Sequence, residues 1–109
     1  MRESESTARL MREIEDDGGV TIPLVGSYMS SGWPDRLVYH RLWHGLIELK
    51  APRGKLSDQQ RASLRKLRER RSAHAVVVRF PERVEDELGE LLTTFDGTGP
   101  GLMRALSVL

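Results

Sequence analysis

The chain has 109 residues, no cysteine and a formal net charge of +1, with 39% hydrophobic and 30% charged residues. This length and composition fit one compact globular domain, and the lack of cysteine excludes a disulfide framework, a thiolate metal site and a cysteine nucleophile. No apolar run approaches the roughly 18 residues of a membrane span. The acidic N-terminus is also unlike a signal peptide, so we expect a cytoplasmic protein.

The charges are segregated along the chain. Residues 53–71 carry eight bases against Asp58 and Glu69, whereas residues 1–17 and 82–96 are acidic. A basic stretch on an otherwise acidic chain favours a polyanionic partner. A solvated helix face would give the same run of charge, so this interpretation needs support from another feature.

Hydrophobic periodicity and breaker residues divide the chain into helices and strands. In chain order, the predicted elements are a helix over 4–17, a strand over 20–25, a loop over 26–35, two strands within 36–50 joined by a turn near 40–44, a helix over 57–71, a strand over 75–80 and a helix over 82–94. Gly18-Gly19 ends the first helix, and Pro23 favours an edge or a bulge for the first strand. Ser57, with Gln60 three residues later, is typical of a helix N-cap with a capping box.

This order of elements predicts an α/β fold, with a small mixed sheet flanked by helices in the core order αβββαβ. The crossover from the strand ending at Lys50, through the basic helix, should place that strand parallel to the strand over 75–80. We expect residues 1–95 to form the domain. Residues 96–109 form an apolar tail, which we interpret as a helix that packs on the domain or on a dimer partner.

The segment LIELK places charged residues between apolar residues in a predicted strand. Because side chains alternate along a strand, Glu48 and Lys50 project to one face, and Ile47 and Leu49 project to the other. A buried carboxylate or ammonium group is costly unless it has a partner. The face that carries Glu48 and Lys50 is therefore either exposed to solvent or occupied by a ligand.

Three more polar residues are aimed at the same place. Asp35 begins a neighbouring strand. Gln60 lies on the leucine-bearing face of the basic helix, whereas Gln59 points about 100° away. On the first helix, Glu3 lies on the apolar face, whereas Glu5 points elsewhere.

These residue types suit a metal and phosphate site. Carboxylates from neighbouring strands, Asp35 and Glu48, form a hard oxygen site for Mg²⁺ or Mn²⁺, with the Leu49 backbone carbonyl as a further ligand. Such an ion lowers the pKa of a bound water and neutralises charge on a phosphorane. Lys50 can hold the water or stabilise the developing charge, and Gln60 can orient the water or a phosphate oxygen.

Each residue also has an ordinary structural explanation. A Pro-Asp pair is common turn chemistry, a Glu-x-Lys strand is commonly a solvated ion pair, and a capping box accounts for Gln60. Glu3, close to the start of a helix, suits the helix dipole. Taken alone, each residue favours the structural explanation, whereas the joint order, spacing and facing of all of them favour a site.

GWPD and IELKAPRGKLSDQQ, followed by a leucine-bearing helix and a Val-rich strand, closely resemble the VRR-NUC family of the PD-(D/E)xK nuclease superfamily. The shared pattern is a Gly two residues before Pro-Asp, then Glu-x-Lys, an Ala-Pro-x-Gly connector, and Leu-Ser-x-x-Gln at the start of a helix. Small phage-type members also open with Glu-Ser on a helix that ends in Gly-Gly, as this chain does. The resemblance covers residues 2–92.

The resemblance implies a restriction-endonuclease-like core and metal ligands at Asp35, Glu48 and the Leu49 carbonyl. It implies a catalytic Lys50, with supporting roles for Gln60 and Glu3. Stand-alone members of the family resemble homodimers that act on branched DNA such as four-way junctions, and larger eukaryotic relatives carry the domain in flap-processing enzymes. The short segment between Asp35 and Glu48 departs from the family pattern.

The leading hypothesis is a divalent-metal-dependent DNA endonuclease that hydrolyses phosphodiester bonds in branched DNA such as Holliday junctions or flaps. The basic residues expected to hold the DNA phosphates are Arg53, Lys55, Arg61, Arg65, Lys66 and Arg68. One alternative is a non-catalytic nucleic-acid-binding module on the same scaffold. Another alternative is a restriction-type nuclease for duplex DNA, which the absence of a recognition domain disfavours.

Overall fold

The structure, a computed structural model, describes residues 3–24, 32–70 and 74–109. In this part of the chain, three helices flank a six-stranded sheet. The elements are α1 (Glu3–Asp16), β1 (Val20–Pro23), β2 (Arg36–Tyr39), β3 (His44–Lys50), α2 (Asp58–Arg70), β4 (Ala75–Arg79), β5 (Arg83–Glu85), β6 (Leu91–Thr94) and α3 (Gly99–Ser107). None of the described helices is long and apolar enough to cross a membrane. Most of the predicted loop over 26–35, and the predicted end of the basic helix at Arg71, lie outside the described residues.

The six strands lie across the sheet in their sequence order. β1, β2 and β3 are antiparallel neighbours, β3 and β4 are parallel, and β4, β5 and β6 are again antiparallel. The parallel pair confirms the predicted crossover through α2. The edge position of β1 confirms the interpretation of Pro23, which has no N–H to donate to a second neighbouring strand.

The predicted capping box at the start of α2 is also confirmed. The Ser57 amide donates to Gln60 Oε1 at 2.9 Å, and the Gln60 amide donates to Ser57 Oγ at 3.1 Å. These two bonds satisfy backbone donors that have no partner inside the helix. They also fix the first turn of α2, and hence the direction in which the Gln60 side chain leaves the helix.

The predicted helix over 82–94 is wrong, because this segment forms β5, a turn and β6. Asp86 Oδ1 accepts hydrogen bonds from the amides of Leu88 and Glu90, and Gly89 adopts a positive φ of 83°. An aspartate that binds nearby amides competes with helix formation, and a positive φ favours glycine in a chain reversal. Leu91, which the helix interpretation would bury, is 49% exposed. The apolar residues in this segment match helical spacing by coincidence.

The apolar core lies between the sheet and the helices α1 and α3. Its members from the sheet and the helices are Val38, Ile47, Leu49, Val76, Val78, Val84, Leu10, Met11, Ile14, Leu102, Met103 and Leu106. The opposite face of β3 and β4 lies beneath α2, whose Leu64 and Leu67 are buried. The central strands β3 and β4 therefore present an apolar face to α1 and α3 and a face that carries charged residues to α2.

Helix α3 belongs to the same core as the sheet. Leu102, Met103 and Leu106 are at most 2% exposed. The Gly99 amide donates to Glu13 Oε1 at 3.0 Å, and a Cβ at Gly99 would lie 2.6 Å from the Ile14 nitrogen, so α3 begins directly against α1. Residues of the predicted tail thus pack on residues of the predicted domain.

Substitution of Leu102 tests the contribution of α3 to stability. We expect Leu102→Ala to lower the free energy of unfolding by about 2–5 kcal/mol, because it leaves a cavity in the core. Leu109→Ala is the matched control, since Leu109 is 59% exposed, and should change it by less than about 0.5 kcal/mol. Urea denaturation measures both values, and equal effects would contradict the packing of α3.

Candidate active site

The pairing of β2 with β3 places Asp35 beside Glu48. Arg36 pairs with Ile47 in antiparallel register, so Asp35, one residue earlier, lies opposite Glu48. Asp35 Oδ2 accepts a hydrogen bond from the Leu49 amide at 2.9 Å, and the Asp35 carbonyl accepts one from the Leu24 amide at 2.8 Å. Side chain and backbone of Asp35 are therefore both fixed at this end of β2.

The carboxylate of Glu48 is buried on the charged face of the sheet, with the residue only 2% exposed. Its Oε2 accepts a hydrogen bond from Gln60 Nε2 at 2.9 Å and lies 3.8 Å from Lys50 Nζ. Its Oε1 is buried and has no hydrogen-bond partner among the described residues. One oxygen of Glu48 is thus satisfied by the protein, and the other is not.

Burial, and then the negative charge of Asp35, raise the pKa of Glu48 from an ordinary value of 4.5 to about 8. The ammonium group of Lys50 opposes this rise but does not cancel it. The charge of Lys50 is therefore too little to keep the buried Glu48 ionised near neutral pH beside Asp35. A cation between Asp35 and Glu48 would supply the missing charge and a partner for Glu48 Oε1.

The backbone carbonyl of Leu49 is directed toward Asp35. The Lys50 carbonyl accepts a hydrogen bond from the amide of Phe80, the residue that follows β4. Carbonyl groups alternate in direction along a strand, and the N–H and C=O of one residue point to the same side. Because the Leu49 amide binds Asp35, its carbonyl lies on the Asp35 side as well.

Gln60 holds a structural position and a site position at the same time. Its Oε1 accepts from the Ser57 amide, so its Nε2 is the atom left to donate to Glu48. The capping box thus fixes the orientation of the Gln60 amide. Gln59 is exposed, as its helical position predicts.

The loop before Asp35 packs directly on α2. Gly32 has a φ of 91°, and a Cβ at this position would lie 2.6 Å from the Gln59 carbonyl carbon. A side chain at residue 32 would therefore clash with the first turn of the helix. This contact explains why the residue two positions before Pro34 is glycine. It also holds the loop that leads to Asp35 against the helix that carries Gln60.

The structure brings together the side chains of Asp35, Glu48, Lys50 and Gln60, together with the Leu49 carbonyl. The side chain of Glu3, the remaining predicted site residue, lies outside the described residues. No group of three or more His, Asp or Glu side chains able to hold a metal occurs in the described ranges. The candidate cation ligands are therefore two carboxylates and one carbonyl.

The six predicted DNA-binding residues divide into two groups. Arg53, Lys55, Arg65 and Lys66 are exposed. Arg61 pairs with Asp58 at 3.2 Å, and Arg68 forms an ion pair and hydrogen bond with the buried carboxylate of Glu87. The four exposed residues form no ion pair within the described ranges, so they can contact a polyanion, whereas Arg68 already neutralises a charge of this chain.

Sequence reasoning missed Arg79, which ends the Val-rich strand β4. Arg79 pairs in register with Lys50, and its Nη1 donates to the carbonyls of Ala51 and Gly54. The available signal was a lone arginine at the end of an apolar strand that was predicted to lie parallel to the strand of Lys50.

The raised pKa of Glu48 predicts an unusual dependence of stability on pH. Without metal, unfolded Glu48 loses its proton near pH 4.5, whereas folded Glu48 keeps it up to about pH 8. The unfolded state binds fewer protons in this interval, so the free energy of unfolding should fall as pH rises, by up to roughly 5 kcal/mol in total.

The matched variant for this test is Glu48→Gln, which mimics the neutral acid at every pH. Urea denaturation from pH 5 to 8 in the presence of a chelator should show a smaller loss of stability with pH in the variant than in the wild type. Since other titrating groups are common to both proteins, the difference isolates Glu48. Parallel curves would contradict the raised pKa.

Comparison with known proteins supports the fold. No protein-family model matches this chain, and no curated protein sequence matches it. Among solved structures, the chain is similar to Hjc, a Holliday junction resolvase from the archaeal hyperthermophile Archaeoglobus fulgidus, with a TM-score of 0.57 and 19% identity over 84% of each chain. This likeness confirms the predicted fold class, an α/β fold with a small mixed sheet flanked by helices. Membership of the PD-(D/E)xK nuclease superfamily rests on the sequence resemblance and stays a prediction. Membership of the VRR-NUC family stays a prediction.

Proposed function

We propose that this protein is a divalent-metal-dependent DNA endonuclease that hydrolyses phosphodiester bonds in branched DNA such as Holliday junctions or flaps. One observation carries the proposal: Asp35 and the buried Glu48 meet beside Lys50, and one Glu48 oxygen has no hydrogen-bond partner in the described part of the chain. The similarity to the fold of an archaeal Holliday junction resolvase supports it, as does the sequence resemblance to VRR-NUC nucleases.

The residues present fit a divalent cation. Asp35, Glu48 and the Leu49 carbonyl would hold Mg²⁺ or Mn²⁺, which prefer oxygen ligands and retain several waters. When bound, the cation would lower the pKa of a water and neutralise charge on the phosphate. Two observations support this fit: Glu48 Oε1 is buried without a hydrogen-bond partner among the described residues, and burial together with the charge of Asp35 raises the pKa of Glu48.

Gln60 would orient the Glu48 carboxylate, and Lys50 would stabilise charge during the reaction. Gln60 donates to Glu48 Oε2, which holds the carboxylate in one rotamer and leaves Oε1 for the cation. Lys50, 18% exposed in its side chain, can donate from Nζ to the attacking water or to a phosphate oxygen. Its charge would stabilise the negative charge that grows on the phosphate as the bond to the leaving oxygen breaks. A supporting role for Glu3 is part of the proposal.

The DNA would lie across the connector and α2. Arg53 and Lys55 flank Gly54 of the connector (residues 51–54), directly after Lys50, while Arg65 and Lys66 are exposed on α2. Such charges bind the phosphate backbone without reading base sequence. Paired incisions in a four-way junction need two sites, so we propose a homodimer, in the cytoplasm of a bacterial or phage-infected cell.

Catalysis is tested with a labelled four-way junction in Mg²⁺ or Mn²⁺. The wild type should nick the junction, and Lys50→Ala should lower the rate by about 100-fold or more, because it removes charge stabilisation in the transition state. Arg104→Ala, a change in α3 across the sheet from the site, should cut at the wild-type rate. A wild type that binds the junction and cuts with neither metal would support the non-catalytic alternative.

The same assay with other DNA substrates tests the substrate class. Flaps and four-way junctions should be cut faster than linear duplex of the same sequence. Faster cleavage of linear duplex at one recognised sequence would instead support the restriction-type alternative.

The two groups of basic residues predict different salt dependences of DNA binding. Lys66→Ala should reduce the slope of log affinity against log salt concentration by about 1, because one phosphate contact is lost. Arg68→Ala should reduce that slope less and should lower the free energy of unfolding, because it leaves the buried Glu87 carboxylate without its partner. Fluorescence anisotropy at several salt concentrations measures the slopes. Equal slopes for the two variants would place Arg68 on the DNA.

A further inference from the structure

We infer that Arg79 is a positioning residue of this site, which holds the connector in the path that brings Lys50 and Gln60 to the same carboxylate. The effect on the connector is a property of the fold alone. The effect on DNA cleavage rests on the proposed function.

Arg79 lies on the charged face of the sheet, next to the site. In the parallel pair of β3 and β4, Glu48 is opposite Val77 and Lys50 is opposite Arg79. Residues that are paired directly across two strands project to the same face. The Arg79 side chain therefore leaves the sheet beside that of Lys50, and it is only 16% exposed although it carries a charge.

The guanidinium group of Arg79 contacts two carbonyls of the connector. Nη1 donates to the Ala51 carbonyl at 3.0 Å and also to the Gly54 carbonyl. The Gly54 amide donates back to the Ala51 carbonyl at 3.0 Å, which closes the connector into a tight turn. The Arg79 guanidinium group thus binds the first and the last residue of this turn.

Glu85 sets the direction of the Arg79 side chain. Arg79 Nε donates to Glu85 Oε1 at 2.9 Å, and Arg83 Nε donates to Glu85 Oε2 at 2.9 Å. Burial opposes ionisation of Glu85, but the hydrogen bonds from Arg83 and Arg79 outweigh it and lower the pKa of this carboxyl. Oε1 of this buried, ionised carboxylate thus holds the Arg79 guanidinium in one orientation, while Oε2 binds Arg83.

The turn determines where the chain enters α2. Gly54 packs on the stem of Lys50, since a Cβ at Gly54 would lie 3.5 Å from Lys50 Cδ. From Gly54 the chain continues to Ser57, whose capping box orients Gln60 toward Glu48. Arg79 consequently acts on Lys50 and on Gln60 through the backbone that joins them.

The hydrogen bonds of Arg79 argue against a direct role in catalysis. Its Nε and Nη1 are occupied by Glu85 and by two backbone carbonyls, and its charge is paired with the Glu85 carboxylate, which it shares with Arg83. Arg83 shares the same carboxylate but donates to neither connector carbonyl, and its side chain is 44% exposed. Arg83 is therefore the matched control for Arg79.

The test compares Arg79→Lys with Arg83→Lys in metal-free protein without DNA. Lysine keeps the charge but has one nitrogen, which cannot reach Glu85 and two carbonyls in the same geometry. Amide hydrogen exchange by NMR should be at least about fivefold faster for Gly54 in Arg79→Lys than in the wild type. It should be unchanged for Gly54 in Arg83→Lys, and for Val78 in both variants.

A cleavage assay then measures the consequence for the site. If the wild type nicks a four-way junction, Arg79→Lys should lower kcat about tenfold and raise KM for the DNA by less than about threefold, because the exposed phosphate-binding residues remain. Arg83→Lys should retain both parameters. If the wild type does not cut, the proposed function fails, and the exchange data alone decide the role of Arg79.

Two results would overturn the inference: unchanged exchange at Gly54 in Arg79→Lys, or equal acceleration in Arg83→Lys. The second result would mean that any weakening of the Glu85 pairs loosens the region. Should Arg79→Lys fail to fold by circular dichroism, Glu85→Gln replaces it, because it removes the charge that orients Arg79. Glu85→Gln should accelerate Gly54 exchange more than Val78 exchange, and equal changes at the two amides would reject the positioning role.

Discussion

The Glu48 carboxylate is buried in the middle of the sheet, and the surrounding structure is organised around that unfavourable position. A strand that alternates apolar and charged residues must bury both faces here, because α1 and α3 cover one face and α2 covers the other. Gln60 and Lys50 compensate one oxygen of Glu48, and the nearby charge of Asp35 works against ionisation. The protein thus leaves Glu48 without enough partners to favour its ionised form, and such perturbed groups are common at functional sites.

Helix α2 is held at both ends by carboxylates from the same hairpin region after β4. At the start of α2, Glu85 binds Arg79, which in turn binds the connector that leads into the helix. In the last turn of α2, Arg68 pairs with Glu87. Both carboxylates are almost fully buried. The segment that was predicted to be a helix therefore serves as an anchor for the helix that carries Gln60. β5 places Glu85 beside β4, and the turn that follows β5 places Glu87 beside α2.

Local rules of sequence predicted the part of the fold that local interactions determine. The capping box of Ser57 and Gln60 and the alternation in LIELK depend on short spacings, and the crossover to β4 follows from the order of the elements. The β5–β6 hairpin could not be predicted in this way, since its leucines match helical spacing and its turn depends on Asp86. Arg79 was missed for another reason, because the two connector carbonyls that it binds, those of Ala51 and Gly54, are 28 and 25 residues away in sequence.

Gln60 binds one Glu48 oxygen and no described residue binds the other, and this difference links the stability of the fold to the proposed binding of a cation. A fully satisfied carboxylate would stabilise the fold but would have little affinity left for a cation. A carboxylate with one oxygen held by Gln60 keeps a fixed rotamer, so a cation would meet a preorganised ligand and not a mobile one. The positive charge that would relieve the repulsion between Asp35 and Glu48 would also stabilise negative charge on a bound phosphate. The same electrostatic deficit would thus weaken the metal-free fold and favour the cation that the proposed reaction requires.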